Sequence, residues 1–535
     1  MRGADLVATA LSHAGVQRLF SLSGNQIMPL YDACIDAGIG IVHVRHEAAA
    51  VHMADAWGRI TAQVGVALVT AGPGHANAIS ALYTARMSES PLLLLSGHAP
   101  LARLGQGAFQ EMAQAHMAAP VCKASWTADD AAGLGRLIAK ALATAQGPRP
   151  GPVHLSLPFD LLQAGVKQPA RPRRARQGKT VPARDVARLA RWLGKASRPL
   201  LLAGAAFNNA SHRALLAALD GAGGVPALAL ESPRGINDPA LGAFAEVLAQ
   251  ADRIVFLGRG PDYCVRFAEQ PIVHPECRFA LVDAQRGMLE RGQRVLGKRL
   301  RHALHADPAL LAEPLAIALR AQPAQGRWAE EVRAALAYQP EAWREVRSDP
   351  ARGVHPLPLC AAVQACIDAR PDTVLVTDGG EFGQWAQACV RTACRVTNGP
   401  AGAIGAALPF AIAAKLARPQ ATVVAMLGDG TAGFHLAEFD TALRAGTPFV
   451  AVVGNDARWN AERQIQLRDY GPGRLIGCEL MPTRYDRVVM AMGGHGEHVE
   501  HEDELAGALQ RAVDSGLPAC VNVKLDGQPA PMIRR

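Results

Sequence analysis

Two acidic side chains follow two consecutive apolar runs in the last third of the chain. Asp429 stands in a Gly-Asp-Gly sequence directly after the run 422–427, and Asp456 closely follows the run 448–453, 27 positions later. If the runs are neighbouring parallel strands joined by a helix, both strand ends emerge at one sheet edge and the carboxylates lie side by side. Two hard oxygen ligands suit Mg²⁺, which takes its other ligands from phosphate and water. The pattern predicts a magnesium site, with a capped β–α turn as the plain alternative.

The residues around these acids are suited to holding a phosphate group. Gly428 and Gly430 let the main chain come close to a ligand, and Thr431 begins a stretch that would offer free N–H groups at a helix N-terminus. Asn455 lies at the second strand end. Gly-Asp-Gly alone is common in ordinary turns, but a second strand end with an Asn-Asp pair at this distance favours a ligand site.

The chain that must position these residues is long and has the composition of a globular protein. Its 535 residues, 49% hydrophobic and 19% charged, suggest roughly three domains of about 150 residues each. Short apolar runs alternate with stretches of helical periodicity, which is typical of parallel sheets covered by helices on both faces. We therefore predict an α/β fold with three doubly wound parallel-sheet domains. The predicted segments are 1–166, 183–321 and 354–535 for the domains, 167–182 for a basic, proline-rich linker, and 322–353 for a helical connector.

Charge and cysteine content limit the classes of function. The net charge of +8 is modest for this length, and basic residues cluster in the predicted linker, so binding to nucleic acid is not supported. The ten cysteines are scattered without a Cys-x-x-Cys pair, which indicates a reducing compartment. The first residues do not resemble a signal peptide, and the most apolar segment, 402–414, is too short to span a bilayer. We predict a cytoplasmic protein with no membrane or nucleic-acid partner.

The Gly-Asp-Gly sequence and the Asn-Asp pair together resemble the binding motif of thiamine diphosphate (ThDP) enzymes. In that family the metal is held by the Asp, by the second residue of the pair and by a main-chain carbonyl two positions further on. The resemblance implies Mg²⁺ bound by Asp429, Asp456 and the carbonyl of Arg458. Asp456 stands where the family commonly has Asn, and its additional charge should make diphosphate binding more dependent on the metal.

A second match lies in the first predicted domain, where an Arg-His-Glu sequence ending at Glu47 resembles a segment of the acetolactate synthase-like branch of the family. There the Glu hydrogen-bonds a ring nitrogen of the cofactor's pyrimidine and shares a proton with it, which prepares the thiazolium carbon as the nucleophile. Glu47 follows an apolar run and should be buried, and a carboxyl group removed from water keeps its proton more readily. Taken alone, Glu47 would be assigned as a helix-capping acid.

Shorter matches to the same family occur in the same order along the chain. A Gly-Pro-Gly loop in the first predicted domain implies that Pro73 and Asn77 contact the pyrimidine. Ile404 stands at the position of the residue that forces the cofactor into its bent form. The other implied cofactor contacts are Gly380, Glu381, Gly402, Gly428, Gly430, Thr431, Asn455 and Trp459.

Residues that would touch the substrate indicate the branch of the family. Gln110 lies in a segment shared by acetolactate synthases and 2-hydroxyacyl-CoA lyases, and its amide can polarise a developing alkoxide. Asn25 and Gln26 lie where benzaldehyde lyase carries a histidine used in proton transfer. Because an amide cannot act as an acid or base, hydrogen-bonded positioning of the substrate is expected there instead.

The resemblance implies an enzyme that makes or breaks a carbon–carbon bond next to a carbonyl group, with ThDP and Mg²⁺ as cofactors. We predict acetolactate synthase-like chemistry on 2-oxo acids. The alternatives are a 2-hydroxyacyl-CoA lyase, an oxalyl-CoA decarboxylase-like enzyme or a 2-hydroxyketone lyase, acting on an acyl-CoA or aldehyde compound. An inactive structural paralogue would be expected to lack Glu47 or the two aspartates, and all three are present.

The resemblance also has implications for assembly and for the middle domain. In the family the pyrimidine site of one subunit faces the diphosphate site of another, which implies a homodimer or homotetramer. Some relatives bind FAD or an ADP group in the middle domain. FAD is therefore a candidate here, but no GxGxxG motif supports it.

Overall fold

The computed structural model describes residues 1–167, 180–322 and 326–535. Within these ranges the chain forms three sheets with flanking helices, and neighbouring strands in each sheet are parallel. The predicted α/β fold with three parallel-sheet domains is confirmed. The predicted basic linker lies, except for its ends, outside the described residues, as do residues 323–325 of the predicted connector.

The first sheet contains six strands from the N-terminal part of the chain. The strands are β1 (Arg18–Ser21), β2 (Gly40–His43), β3 (Gly65–Val69), β4 (Leu92–His98), β5 (Ala124–Thr127) and β6 (Pro152–Pro158). The helices are α1 (Gly3–His13), α2 (Met28–Asp36), α3 (Glu47–Thr61), α4 (Pro73–Met87), α5 (Gln114–Ala118), α6 (Leu134–Gln146) and α7 (Phe159–Gln163). The order across the sheet is β2-β1-β3-β4-β6-β5.

The second sheet contains five strands. They are β7 (Pro199–Ala203), β8 (Ala227–Ala229), β9 (Arg253–Leu257), β10 (Arg278–Asp283) and β11 (Leu300–His305), in the order β11-β10-β9-β7-β8. The helices are α8 (Ala183–Gly194), α9 (Arg213–Leu219), α10 (Phe244–Leu248), α11 (Arg286–Leu296), α12 (Pro308–Arg320) and α13 (Trp328–Ala337). The segment predicted as a helical connector contains α13, which ends at Ala337, and a 3-10 helix over Glu341–Glu345 that begins directly after Pro340.

The third sheet contains six strands, in the same relative order as the first. The strands are β12 (Thr373–Thr377), β13 (Cys394–Thr397), β14 (Thr422–Gly428), β15 (Val450–Asn455), β16 (His495–Val499) and β17 (Ala519–Lys524). The helices are α14 (Pro356–Asp368), α15 (Gly380–Cys389), α16 (Ala407–Ala417), α17 (Asp429–Ala432), α18 (Glu438–Arg444), α19 (Asn460–Tyr470), α20 (Tyr485–Ala491) and α21 (Leu505–Asp514). The strand order is β13-β12-β14-β15-β17-β16.

The first and third domains share one apolar core within the chain. Helix α3 packs on α16, and both helices contribute small buried side chains to that core, among them Ala50, Ala54 and Ala411. Arg59 of α3 adds a polar contact, because its guanidinium donates to the carbonyl of Thr397 at 2.7 Å. The small side chains let the helices approach closely, and this contact fixes the edge of the first sheet relative to the third.

Two further observations concern the predictions made from the apolar segments and from the cysteines. Across the three described ranges, no helix is both long enough and apolar enough to cross a bilayer. The ten cysteines are free thiols, and eight of them are buried, where a thiol packs as a small apolar group.

Candidate active site

A cleft of about 360 Å³ lies at the carboxyl edge of the third sheet, where open α/β sheets bind ligands. Strands β12, β14 and β15 are neighbours there, and the segment after each of them forms part of the wall. The predicted residues that line the cleft are Gly380, Glu381, Gly402, Ile404, Gly428, Asp429, Gly430, Thr431, Asp456, Arg458 and Trp459. The structure therefore brings the two halves of the predicted metal motif together.

Asp429 begins α17 and is almost completely buried. Among the described residues, no group donates a hydrogen bond to its Oδ2 atom. Burial raises the pKa of Asp429 to about 6, although the main-chain N–H groups of Ala457 and Arg458 face the carboxylate. A buried carboxylate oxygen without a donor is costly, and a cation bound to it would remove that cost.

Asp456 lies on the loop after β15 and reaches the same cleft. Burial, and next the charge of Asp429, raise the pKa of Asp456 to about 7. No three His, Cys, Asp or Glu side chains converge on a metal position in the part of the chain that the structure describes. A divalent cation between the two carboxylates would thus need oxygen ligands from the main chain, water and a bound phosphate, as Mg²⁺ commonly has.

The shape of the cleft depends on two close approaches to glycine. A Cβ atom on Gly430 would lie 2.5 Å from the indole ring of Trp459, so a larger residue would displace the ring. A Cβ atom on Gly379 would lie 2.8 Å from the side chain of Ile404. The predicted wedge residue is therefore a direct neighbour of the main chain that starts α15.

Asp378 organises the cleft, although sequence reasoning misses it. The side chain is completely buried at the end of β12, and its carboxylate accepts hydrogen bonds from the N–H groups of Gly379 at 2.8 Å and of Gly405 and Ala407 at 3.1 Å. Burial raises the pKa of Asp378 to about 6. The carboxylate ties the loop that carries Ile404 to the first turn of α15. An acid directly after an apolar run is the signal that could have identified it.

Two other unpredicted residues support the site from a distance in sequence. Arg234 of the second domain lines the cleft and forms an ion pair with Glu381, with 3.2 Å between Nη2 and Oε2. The hydroxyl of Tyr485 donates to the main-chain carbonyl of Asp429 at 3.0 Å. No local motif marks either residue, because each partner lies far along the chain.

The carboxyl edge of the first sheet carries the second group of predicted residues. Glu47 is buried at the start of α3, where the helix N-terminus favours a negative charge. Its Oε2 atom accepts a hydrogen bond from Asn77 Nδ2 at 3.0 Å. The Gly-Pro-Gly loop lies beside it, since a Cβ atom on Gly74 would be 3.2 Å from Glu47 Oε1. Pro73 and Asn77 are exposed.

The predicted substrate residues lie at the same edge. A Cβ atom on Gly72 would lie 2.9 Å from Gln110, which adopts a left-handed conformation with φ of +58°. Gln26 is buried, and its Oε1 atom accepts a hydrogen bond from the hydroxyl of Thr70 at 2.7 Å. Asn25 is exposed. The Gln26 amide is thus engaged in holding its loop, whereas Asn25 is free to meet another molecule.

The two groups of residues do not form one site within a single chain. None of the described residues that line the cleft comes from the first domain, so Glu47, Gln110 and Asn77 are not part of it. One predicted cofactor residue of the third domain is also absent from the lining. The side chain of Asn455 donates to the carbonyl of Thr483 at 2.8 Å and to Asn522 at 3.1 Å, and so holds the loop rather than the ligand.

Comparison with known proteins identifies the class. Residues 1–117 match the N-terminal TPP binding domain of thiamine pyrophosphate enzymes, where thiamine pyrophosphate (TPP) is another name for ThDP. Residues 378–523 match the C-terminal TPP binding domain of the same enzymes. The first match contains Glu47 and the Gly-Pro-Gly loop, and the second contains both aspartates. The fold and the site thus define a ThDP-dependent carboligase or lyase.

Similar proteins with assigned names identify the branch of the ThDP enzymes to which the chain belongs. The chain is 33% identical to a probable acetolactate synthase of Mycobacterium bovis, over 98% of this chain and 96% of the relative. It is 31% identical to 2-hydroxyacyl-CoA lyase 2 of Homo sapiens, over 97% of this chain and 89% of the relative. The chain therefore belongs to the acetolactate synthase and 2-hydroxyacyl-CoA lyase family, as its motifs predict.

Proposed function

We propose that this protein is a Mg²⁺- and ThDP-dependent enzyme that condenses 2-oxo acids in the manner of an acetolactate synthase. One observation carries the proposal: a buried carboxylate with an oxygen that lacks a donor among the described residues, Asp429, and a half-buried one, Asp456, lie at a glycine-lined sheet edge. When bound, ThDP would supply a nucleophilic carbon and an electron-accepting ring. The protein supplies the metal ligands, the cofactor's shape and the proton on its pyrimidine.

The residues of the third domain would bind the cofactor's charged end. Asp429, Asp456 and the carbonyl of Arg458 would hold Mg²⁺, whose charge would offset part of the negative charge of the carboxylates and the diphosphate. The main-chain N–H groups at the starts of α15 and α17 would face the diphosphate oxygens. Ile404, held in place through the Asp378 carboxylate, would support the bent form.

Glu47 would act on a cofactor bound by a second subunit. Glu47 lies outside the cleft of its own chain, and its neighbours Pro73 and Asn77 are exposed. We therefore propose a homodimer, or a homotetramer built from two such dimers, in which the first sheet edge covers the partner's cleft. Glu47 would hold the pyrimidine's proton there, and the Gln110 amide would donate to the reacting oxygen.

Mixing two inactive variants tests this arrangement. Glu47→Gln and Asp429→Asn should each be inactive, but a heterodimer of the two contains one site with both native residues. After unfolding and refolding of an equal mixture, random pairing gives about a quarter of the parent activity. Activity that stays at the level of the single variants, in heterodimers isolated through a different affinity tag on each variant, would refute a site shared between subunits.

A second reaction is favoured by the relatives named 2-hydroxyacyl-CoA lyase 2. The purified holoenzyme should be incubated with pyruvate, with a 2-hydroxyacyl-CoA, with oxalyl-CoA and with benzoin, and the products read by mass spectrometry. Acetolactate from pyruvate supports the first proposal, whereas an aldehyde and formyl-CoA from the hydroxyacyl-CoA support the second. Bound ThDP without turnover of any of these compounds would contradict both.

A further inference from the structure

The second sheet has a carboxyl edge of the kind that binds nucleotides. Strand β8 lies on one side of β7, and β9, β10 and β11 follow on the other side. The order in which the strands are added to the sheet therefore reverses between β7 and β9. Ligands of open α/β sheets bind at this point, with their phosphate groups on main-chain N–H groups. Gly204 follows β7 and Gly258 follows β9, which leaves room for such a ligand at the strand ends.

A carboxylate of the first domain occupies this point. Glu89, just after α4, is buried, and its Oε2 atom accepts a hydrogen bond from the main-chain N–H of Ala206 at 3.1 Å. A Cβ atom on Gly204 would lie 2.6 Å from the same oxygen. The carboxylate thus lies against the first turn after β7, with the donor that a phosphate would use.

A second residue of the first domain completes the arrangement. Arg149 donates from Nε to Glu89 Oε1 at 2.6 Å and from Nη1 to Asp283 Oδ2 at 3.2 Å. Asp283 is completely buried at the end of β10. Glu89 and Arg149 adopt left-handed conformations, with φ of +53° and +56°, which residues other than glycine keep only where the surroundings hold them.

Further hydrogen bonds between the domains surround this ion pair. The N–H of Ala210 donates to the carbonyl of Arg59 at 2.8 Å, and the side chain of Asn209 donates to the carbonyl of Ser88 at 3.4 Å. Both bonds join the first domain to the segment that follows β7. The whole edge is therefore built as a contact between domains.

We propose that Glu89 is a built-in anion that takes the place of a nucleotide phosphate in the central domain and, with Arg149 and Asp283, fastens that domain to the first one. FAD, a candidate for this domain from the family resemblance, does not fit, because the Glu89 carboxylate already holds the Ala206 N–H and lies against Gly204 at the point of reversal. This inference does not depend on the reaction proposed above, since none of the three residues lines the cofactor cleft.

Titration with nucleotides tests whether Glu89 takes the place of a nucleotide phosphate. The parent holoenzyme should be titrated with FAD and with ADP, by calorimetry and, for FAD, by quenching of flavin fluorescence. We expect no binding of either compound. Binding of FAD or ADP at one molecule per chain would overturn the proposal, whatever the variants below show.

Chemical rescue by a small carboxylate tests whether the Glu89 anion fastens the central domain to the first one. Glu89→Ala removes the closer of the two carboxylates paired with Arg149, leaves the Ala206 N–H without its acceptor, and should lower the unfolding temperature by about 5 °C or more. Formate, a carboxylate small enough for the space, should restore most of that loss. Glu89→Gln fills the space and should be destabilised without responding to formate, and the exposed Glu313→Ala should behave as the parent. An Ala variant as stable as the parent, or one that formate does not restore relative to the Gln variant, would overturn the proposal.

Discussion

Replacing Asp456 by Asn should flatten the pH dependence of metal binding. Burial and then the charge of Asp429 raise the pKa of Asp456 to about 7, and burial raises the pKa of Asp429 to about 6. Because a divalent cation binds ionised carboxylates, it displaces protons wherever the pH lies below these values. From pH 6 to pH 8 the ionised fraction of Asp456 rises about tenfold and that of Asp429 about twofold, so affinity in the parent should rise roughly 20-fold.

The amide of Asp456→Asn can still offer an oxygen but does not titrate, so only the roughly twofold effect of Asp429 remains. The assay is electron paramagnetic resonance of free Mn²⁺, with saturating ThDP, at pH 6, 7 and 8. The cofactor's own diphosphate also titrates, but it cancels in the ratio of parent to variant affinity at each pH. That ratio should grow about tenfold toward pH 8. A constant ratio would refute the reasoning, and the exposed Asp503→Asn should give a constant ratio as the control.

Three other substitutions separate cofactor binding from turnover. Glu47→Gln should bind ThDP as the parent does and lose about 10²- to 10⁴-fold in kcat, and equal loss of binding in calorimetry would contradict its role in proton transfer. Asp378→Asn places an amide group opposite the main-chain N–H donors that the carboxylate accepts from, which should weaken ThDP binding about 10-fold or more. Quenching of tryptophan fluorescence by ThDP measures the affinity. Unchanged affinity would show that the loop carrying Ile404 does not need the carboxylate. Gly430→Ala should weaken ThDP binding to a similar degree, because its Cβ atom would collide with the Trp459 ring. Gly433→Ala is the control, since its Cβ atom would come no closer than 3.4 Å to a neighbouring atom, and it should bind ThDP as the parent does. Equal affinities of the two variants would contradict the steric argument.

The fold could be predicted where strands are buried on both faces. The predicted run 422–427 lies within β14, and the run 448–453 overlaps β15, because central parallel strands appear as unbroken apolar runs. Sequence reasoning missed β1, β5, β8, β11, β13 and β16. Five of these lie at sheet edges, whereas β1 is an interior strand of four residues that begins with an arginine and ends with a serine. Edge strands such as β16, with two histidines and a glutamate among five residues, carry no such run.

The site could be predicted where its parts are local in sequence. Each half of the metal motif, and the Arg-His-Glu segment, lies within a few residues of a strand end, and the structure places all three at carboxyl edges. Arg234 and Glu89 escaped prediction because their partners lie 147 and 117 residues away. Contacts of that range follow from how the domains pack, which no local spacing encodes.

The first and third sheets share one strand order, which bears on how their edges would meet in the proposed dimer. In the first sheet, Asn25, Glu47, the Gly-Pro-Gly loop and Gln110 follow the first, second, third and fourth strands in chain order. In the third sheet, Asp378, Ile404, the Gly-Asp-Gly motif and Asp456 follow the corresponding four strands. Each edge therefore presents four connections in the same arrangement, one set suited to an uncharged ring and the other to a metal and a diphosphate. A twofold axis would set the edge of the first sheet of one chain against the edge of the third sheet of the other chain, and so would create two equivalent sites. Such pairing requires a fixed distance between the two edges of each chain, and the contact between α3 and α16 supplies it.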